Sequence, residues 1–253
     1  AVVSYQTAYL KYYYPVEFMA ALMTSVVEMP NKVAEYISVC RQMGIQILPP
    51  DINHGVYGFS VDNGAIRYAL SAIKSIGRPV IEGIVREREE HGEYTSLKTF
   101  VERNIDQINK RVVENLIKAG ALDCLEGNRK QKMTIYTQII DSINQDKKHT
   151  MAGQLSLFDI ASEEDKKEFE IRMPQVEEYP KEIILTFEKE VLGIYLSGHP
   201  LERYRNMMEK MISAKTSDFQ PDDETGIPEV YDNQKVIVGG MITDKTIKYT
   251  KNN

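Results

Sequence analysis

The stretch AIKSIGRPVIEGIVRERE, residues 72–89, decides the fold. A short helical segment runs to a tight turn through Gly77, and a second helix starts with Pro79 in its first turn, where a missing N–H costs nothing. This is the outline of a helix-hairpin-helix. First-turn N–H groups have no intrahelical acceptor and carry positive partial charge, so a hairpin that turns them outward can hold a phosphate oxygen. Lys74 and Arg78 flank the turn, and Ser75 lies within it. About thirty residues on, NIDQINKRVVENLIKAG (104–120) repeats the plan. Asn109 serves as cap, Lys110 and Arg111 fill the first turn, and Gly120 follows the last one. A lone αα-hairpin with a Gly turn and basic flanks is an ordinary solvated helix pair. Two in tandem point as much to a surface that grips two stretches of phosphate.

Upstream, PVEFMAALMTSVVE (15–28) and NKVAEYISVCRQMG (31–44) read as two helices packed as a hairpin, with Pro15 in a first turn, Asn31 as cap and Gly44 as stop. ILPPDIN (47–53) breaks all regularity. In VYGFSVDNGAIRYAL (56–70), Asn63-Gly64 sits between two short alternating runs, the strongest local signal for a β-hairpin. Helical patterns then cover 70–90, 96–104, 109–119 and 128–146. YPKEIILTFEKEVLGIYLSGHPLERYRNMMEKMI (179–212) predicts two helices around a glycine turn, and KVIVGGMITDKTIKYTKNN (235–253) predicts β-strand. A lone terminal strand pair has no core of its own, and AVVSYQTAYLKYY begins in mid-pattern, so both ends are expected to continue into a longer chain.

With 253 residues, 42% of them hydrophobic and 27% charged, the chain can bury a sizeable core. No run of about 18 apolar residues exists, and the N-terminus lacks the order of a signal peptide, so a cytoplasmic protein without membrane contact is expected. The net charge of −6 conceals an asymmetry: residues 67–130 carry 12 Lys and Arg against 10 Asp and Glu, whereas residues 154–232 carry 9 against 19. The acidic total argues against a nucleic-acid coat but leaves room for a local phosphate-binding surface in the first half. Cys40 and Cys124 lack metal-site spacing and read as packing positions. Catalysis finds no carboxylate pair, no Gly-rich loop with Lys and no Ser, His and Asp arrangement. His199, before Pro200, reads as a structural hydrogen-bonder. Tyr12, Tyr13 and Tyr14 read as a packing face rather than a platform for bases.

KKHTMAGQLSLFDIASEED (147–165) places Leu155, Leu157 and Phe158 between polar and acidic runs, with neither helical nor strand periodicity to bury them. Either they fold back on neighbouring helices or another protein covers them.

AVVSYQTAYLKYYYPVEFMAALMTS, ILPPDIN, IRYALSAIKSIG, NKRVVENLIKAGALD, GQLSLFD and EKEVLGIYLSGHPLERY resemble, in this order and over nearly the whole chain, the alpha subunits of bacterial DNA polymerase III, the C-family replicative polymerases. The resemblance implies a mainly α fold in five parts. These are the end of the fingers (1–53), a tandem helix-hairpin-helix region with a small β-hairpin (54–148), a linker with a sliding-clamp-binding motif (149–175), a helical connector (176–230) and an incomplete OB-fold start (231–253). It implies sequence-independent binding of double-stranded DNA through Lys74, Ser75, Gly77, Arg78, Asn109, Lys110 and Arg111. It also implies binding of the sliding clamp through Gln154, Leu155, Ser156, Leu157 and Phe158, and membership of a replisome. No cofactor is expected here, because the aspartates that hold Mg²⁺ in that family lie in a palm upstream of anything in this sequence. By resemblance the parent is the polymerase, and this chain alone is expected to be inactive. Ser75 stands where family members commonly carry Gly, and Ser tolerates fewer backbone conformations. A non-catalytic DNA-binding scaffold with a clamp peptide is the alternative, which a palm with paired aspartates upstream would exclude.

Overall fold

Proline starts the second and third helices in the computed structural model, which describes residues 2–151, 171–221, 226–242 and 245–247, with the side chains of 149–151 outside the description. The candidate clamp residues 154–158 lie outside the described residues. After α1 (Val2–Tyr13), both α2 (Pro15–Ser25) and α3 (Pro30–Gln42) open on a proline. Met19, Ala20 and Met23 of α2 and Val33, Ile37 and Cys40 of α3 form their buried faces, at helical spacing. Helix α1 has no buried residue, and Tyr12, Tyr13 and Tyr14 are exposed; among the described residues the rings that meet Tyr13 are those of Tyr9, tilted, and Tyr12, edge-on. The packing face expected for them is therefore not formed.

Asn63 and Gly64 both take positive φ, 50° and 79°, and turn β2 (Ser60–Asp62) into β3 (Ala65–Arg67). That is the backbone a two-residue hairpin turn demands. Val61 pairs with Ile66 in the antiparallel register. The irregular ILPPDIN holds an additional strand, β1 (Ile47–Leu48), which runs parallel to β3 with Ile47 opposite Ile66. Two residues cut off by Pro49 are too few to show alternation in a sequence. Across the turn, the Arg67 guanidinium donates to Asp62 (Nε to Oδ2, 3.0 Å) and holds that carboxyl below its ordinary range.

Beyond the sheet, only Leu70–Ala72 is helical before the first hairpin turn, as a single 3-10 turn, where a full helix from residue 70 was expected. Ile73 is already extended, and the Lys74 N–H bonds to the carbonyl of Val191 instead of closing a helical turn. There follow α4 (Arg78–His91), α5 (Leu97–Asn104), α6 (Lys110–Ala119), α7 (Arg129–Met151) and α8 (Lys181–Leu192). One buried apolar set runs from Met19 to Ile194, through Ile66, Leu70, Ile84, Phe100, Val113, Leu122 and Ile139. Tyr68 joins α8 to it, edge-on to Phe59 and donating to the Leu192 carbonyl.

The start of α7 is tied down from several sides. Asn128 and Gln131 exchange backbone-to-side-chain bonds of 2.8 Å, and Glu178, from the irregular segment before α8, accepts from the Arg129 N–H at 2.9 Å. A carboxylate at a helix N-terminus suits the unpaired N–H groups and the helix dipole. Arg129 is buried and forks onto Asp123, while the fully buried Lys132 donates to the carbonyls of Leu125 and Gly127. Burial lowers the Lys132 pKa. Cys40 is a core residue, as expected; Cys124 lies at the surface, its thiol pushed up to about 12 by the protein packed around it and by Asp51, and so is no activated nucleophile.

Residues 1–197 form one compact unit and residues 198–253 another. The second holds a 3-10 turn (Glu202–Tyr204), α9 (Arg205–Met211) and a further 3-10 turn (Thr216–Phe219). His199 Nδ1 accepts from the Leu201 N–H at 3.1 Å, the structural role expected of it. Among the described residues beyond 226 there is no strand, contrary to expectation. Ile237 meets the turn after α9 instead, its carbonyl accepting from the N–H groups of Ser213 and Ala214 and its N–H donating to the Ser213 hydroxyl. Extended backbone without a neighbouring strand makes no ladder. No helix among the described residues is long and apolar enough to cross a membrane.

Two left-handed positions have opposite prospects. Gly120 (φ 80°) ends α6, and a Cβ there would run into the Arg129 guanidinium. Gly120→Ala is expected to cost at least about 1–2 kcal/mol in chemical denaturation, from backbone strain alone. Ser75 carries φ 64° without being glycine. Ser75→Gly is expected to raise stability by up to about 1 kcal/mol, as relief of that strain outweighs the added chain entropy of glycine.

Candidate nucleic-acid interface

The two hairpins embrace each other. Their caps, Gly77 and Asn109, stand 32 positions apart, and the same offset carries Gly83 onto Asn115 and Ser75 onto Gln107. Gly83 of α4 packs so closely on Gln107 in the second hairpin's turn that a Cβ would overlap it. Reciprocally, Asn115 of α6 reaches the first hairpin's turn, its Nδ2 donating to the Lys74 carbonyl at 2.7 Å. Each second helix thus braces the other motif's turn, by close approach in one case and by a hydrogen bond in the other.

At the first hairpin the left-handed residue is Ser75, not Gly77. Gly77 is extended at φ −77°, and a Cβ there would make only ordinary contact with Pro79. Arg78 opens α4, pairs with Glu82 at 2.7 Å and lies over the Tyr57 ring at 4.9 Å. At the second hairpin, the Asn109 side chain accepts from the Val112 N–H at 3.0 Å and so caps α6, which Gly120 closes in the left-handed conformation. Lys110 turns toward α7, 2.7 Å from Asp141. Arg111 lies one residue further round the first turn and makes no ion pair among the described residues; nor does Lys74.

Lys74, Ser75 and Arg111 line one cleft of about 520 Å³. Arg78 and Lys110 do not line it. Five of its residues were not anticipated: Asn115, Val191 and three charged ones, Glu114, Lys118 and Glu190. Lys118 bridges the other two, at 2.9 Å from Glu114 and 2.8 Å from Glu190 of α8. Burial works to lower the Lys118 pKa, and the hydrogen bonds to Glu190 and Glu114 outweigh it and hold the pKa above its ordinary value. The helical stripe Arg111, Asn115, Lys118 was open to reading at spacings of four and three. Glu190 was not, since it reaches the cleft from a distant helix. The arrangement brings two exposed cations and a hydroxyl to one cleft, elements of an anion-binding surface.

A family model for the helix-hairpin-helix motif matches residues 44–132. The DNA polymerase III alpha subunit of Vibrio cholerae is 37% identical over 253 residues, covering 99% of this chain and 21% of the relative. That of Escherichia coli K12 is 37% identical over 254 residues, with the same two shares. That of Borreliella burgdorferi is 38% identical over 214 residues, covering 84% of this chain and 19% of the relative. The chain spans about a fifth of the length of these curated relatives. With more than a third of its residues identical across nearly its whole length, and a helix-hairpin-helix region within it, the chain belongs to the DNA polymerase III alpha subunit family.

Proposed function

We propose that this chain is the segment by which a bacterial replicative DNA polymerase holds duplex DNA and its sliding clamp, tethering a catalytic core that lies elsewhere in the parent protein. The observation that carries the DNA half is the cleft where Lys74 and Ser75 of one hairpin meet Arg111 of the other, with both cations exposed and without an ion pair among the described residues. Arg78 and Lys110 add to it, because exposed pairs such as Arg78–Glu82 and Lys110–Asp141 are weak and yield to phosphate. Gly77 and Asn109 set the helix starts whose N–H groups face the backbone. Contacts of this kind carry no base information, so binding is independent of sequence. In this reading residues 1–53 close the fingers, 54–148 grip DNA, 149–175 carry the clamp peptide, 176–230 connect and 231–253 begin an OB fold. DNA synthesis and its Mg²⁺ belong to the parent's palm, and this chain alone does not polymerise. The cell compartment is the cytoplasm, where a bacterial chromosome is copied.

With three or four phosphates neutralised, the logarithm of the duplex binding constant is expected to fall with log salt at a slope of roughly −3. Replacing Asn109, Lys110 and Arg111 with Ala flattens that slope in a fluorescence titration. A slope that does not move would mean the second hairpin is not a phosphate site.

The clamp half rests on GQLSLFD alone. Gln154 offers an amide that both donates and accepts, Leu155 adds apolar surface, Ser156 faces outward, and Leu157 with Phe158 enters an apolar pocket of the ring. Burial of a Leu and a Phe is worth about 1.5–3 kcal/mol each before ordering costs, which suits roughly micromolar affinity for the peptide alone. DNA contacts and a ring around the same duplex then add avidity. In calorimetry with purified clamp, Leu157→Ala together with Phe158→Ala is expected to abolish binding and leave the melting temperature unchanged. If the double variant unfolds instead, these side chains belong to a core and the tether is wrong.

A further inference from the structure

We infer that the cleft between the hairpins holds a single phosphodiester of the DNA backbone, shared by Lys74 and Arg111, and that Glu190 of α8 enforces this limit; the inference rests on the DNA-binding reading above. Charge decides the number. Lys74, Arg111 and Lys118 bring three positive charges into the cleft, and Glu114 and Glu190 bring two negative ones, so the net is +1. Lys118 is not available to a ligand: its side chain is only 12% exposed and its ammonium lies between the two carboxylates at 2.9 and 2.8 Å. Lys74 and Arg111 remain, both exposed. One phosphodiester carries a single negative charge and neutralises the cleft. A second would enter against two fixed carboxylates with no cation left to meet it, and a terminal phosphate monoester, with a charge nearer −2, would overfill the cleft.

Geometry keeps the two cations on one target. The Lys74 carbonyl is fixed by Asn115, its N–H by the Val191 carbonyl at 2.9 Å, and Asn115 lies on the same helix as Arg111. The turn of one hairpin and the first helical turn of the other therefore cannot separate to follow two phosphates independently. Glu190 takes part through Lys118, as a positioning residue that never touches DNA.

The test is a salt series on the 253-residue chain with a duplex oligonucleotide lacking terminal phosphates, comparing Lys74→Ala, Arg111→Ala, the double variant and Glu190→Gln. All three positions are exposed, and unchanged melting temperatures confirm that each variant folds. The double variant is expected to flatten the slope by about 0.9, the share of one phosphate. A loss near 1.8, the sum of two independent phosphates, overturns the sharing. Glu190→Gln removes one of the two carboxylates that hold Lys118, raises the net charge of the cleft by one and is expected to steepen the slope by up to about 0.9, whereas an unchanged slope overturns the limiting role of Glu190. Adding 5′-phosphates to the duplex is expected to leave affinity unchanged; tighter binding that Lys74→Ala abolishes would reassign the cleft to a strand end. Absence of duplex binding by the parent chain at low salt would instead overturn the DNA-binding reading itself.

Discussion

Lys74 is held on both sides of its backbone, its N–H by the carbonyl of Val191 and its carbonyl by the amide of Asn115. The next residue, Ser75, stands in the left-handed region, which an ordinary side chain enters only when its surroundings over-determine the backbone. Those two bonds supply the over-determination. They also make α8 part of the hairpin region, because a strained turn that borrows a carbonyl from α8 is correctly formed only with α8 docked. The docking is secured elsewhere in the same helix: Val191 and Leu192 are buried, Tyr68 donates to the Leu192 carbonyl, and Glu188 accepts from the N–H groups of Leu196 and Ser197.

What was legible in the sequence is what a few neighbouring residues decide. Asn63-Gly64 fixes its own turn, Asn109 caps the helix that starts beside it, and Gly120 ends that helix, because each signal and its effect lie within one turn of chain. The places where expectation failed share the opposite property. Residues 70–77 have good helix formers, yet α8 claims the N–H of Lys74 and the helix stops at one 3-10 turn. Ile47–Leu48 becomes a strand only because β3 passes beside it. The residues around Ile237 have strand composition, but among the described residues no strand lies alongside, and β-propensity without a partner builds nothing. Gly77 drew attention as a glycine, while the conformation that needs a glycine falls two residues earlier, on Ser75.

The charge asymmetry along the chain takes on a different meaning once the pairs are known. Residues 67–130 hold a slight excess of basic groups, and composition alone sets the acidic stretch that follows apart from them. In the folded unit, part of that acid turns back onto the base. Glu190 takes Lys118, and the buried Glu188 stands 4.0 Å from the Arg129 guanidinium, which Asp123 also holds. Lys132 is spent on backbone carbonyls. A basic residue buried in this way must have its partner, since an unpaired charge out of water costs more than the fold can spare. Such cations stabilise the scaffold and are lost to any external anion. Under the proposed reading, the cations open to phosphate come from what internal pairing leaves, not from the total; they include Lys74 and Arg111 in the cleft, with Arg78 and Lys110 behind weak exposed pairs. Phosphate contacts carry no base information, so a few cations of fixed position would suffice for the proposed grip on a duplex, and carboxylates set among them would weaken it.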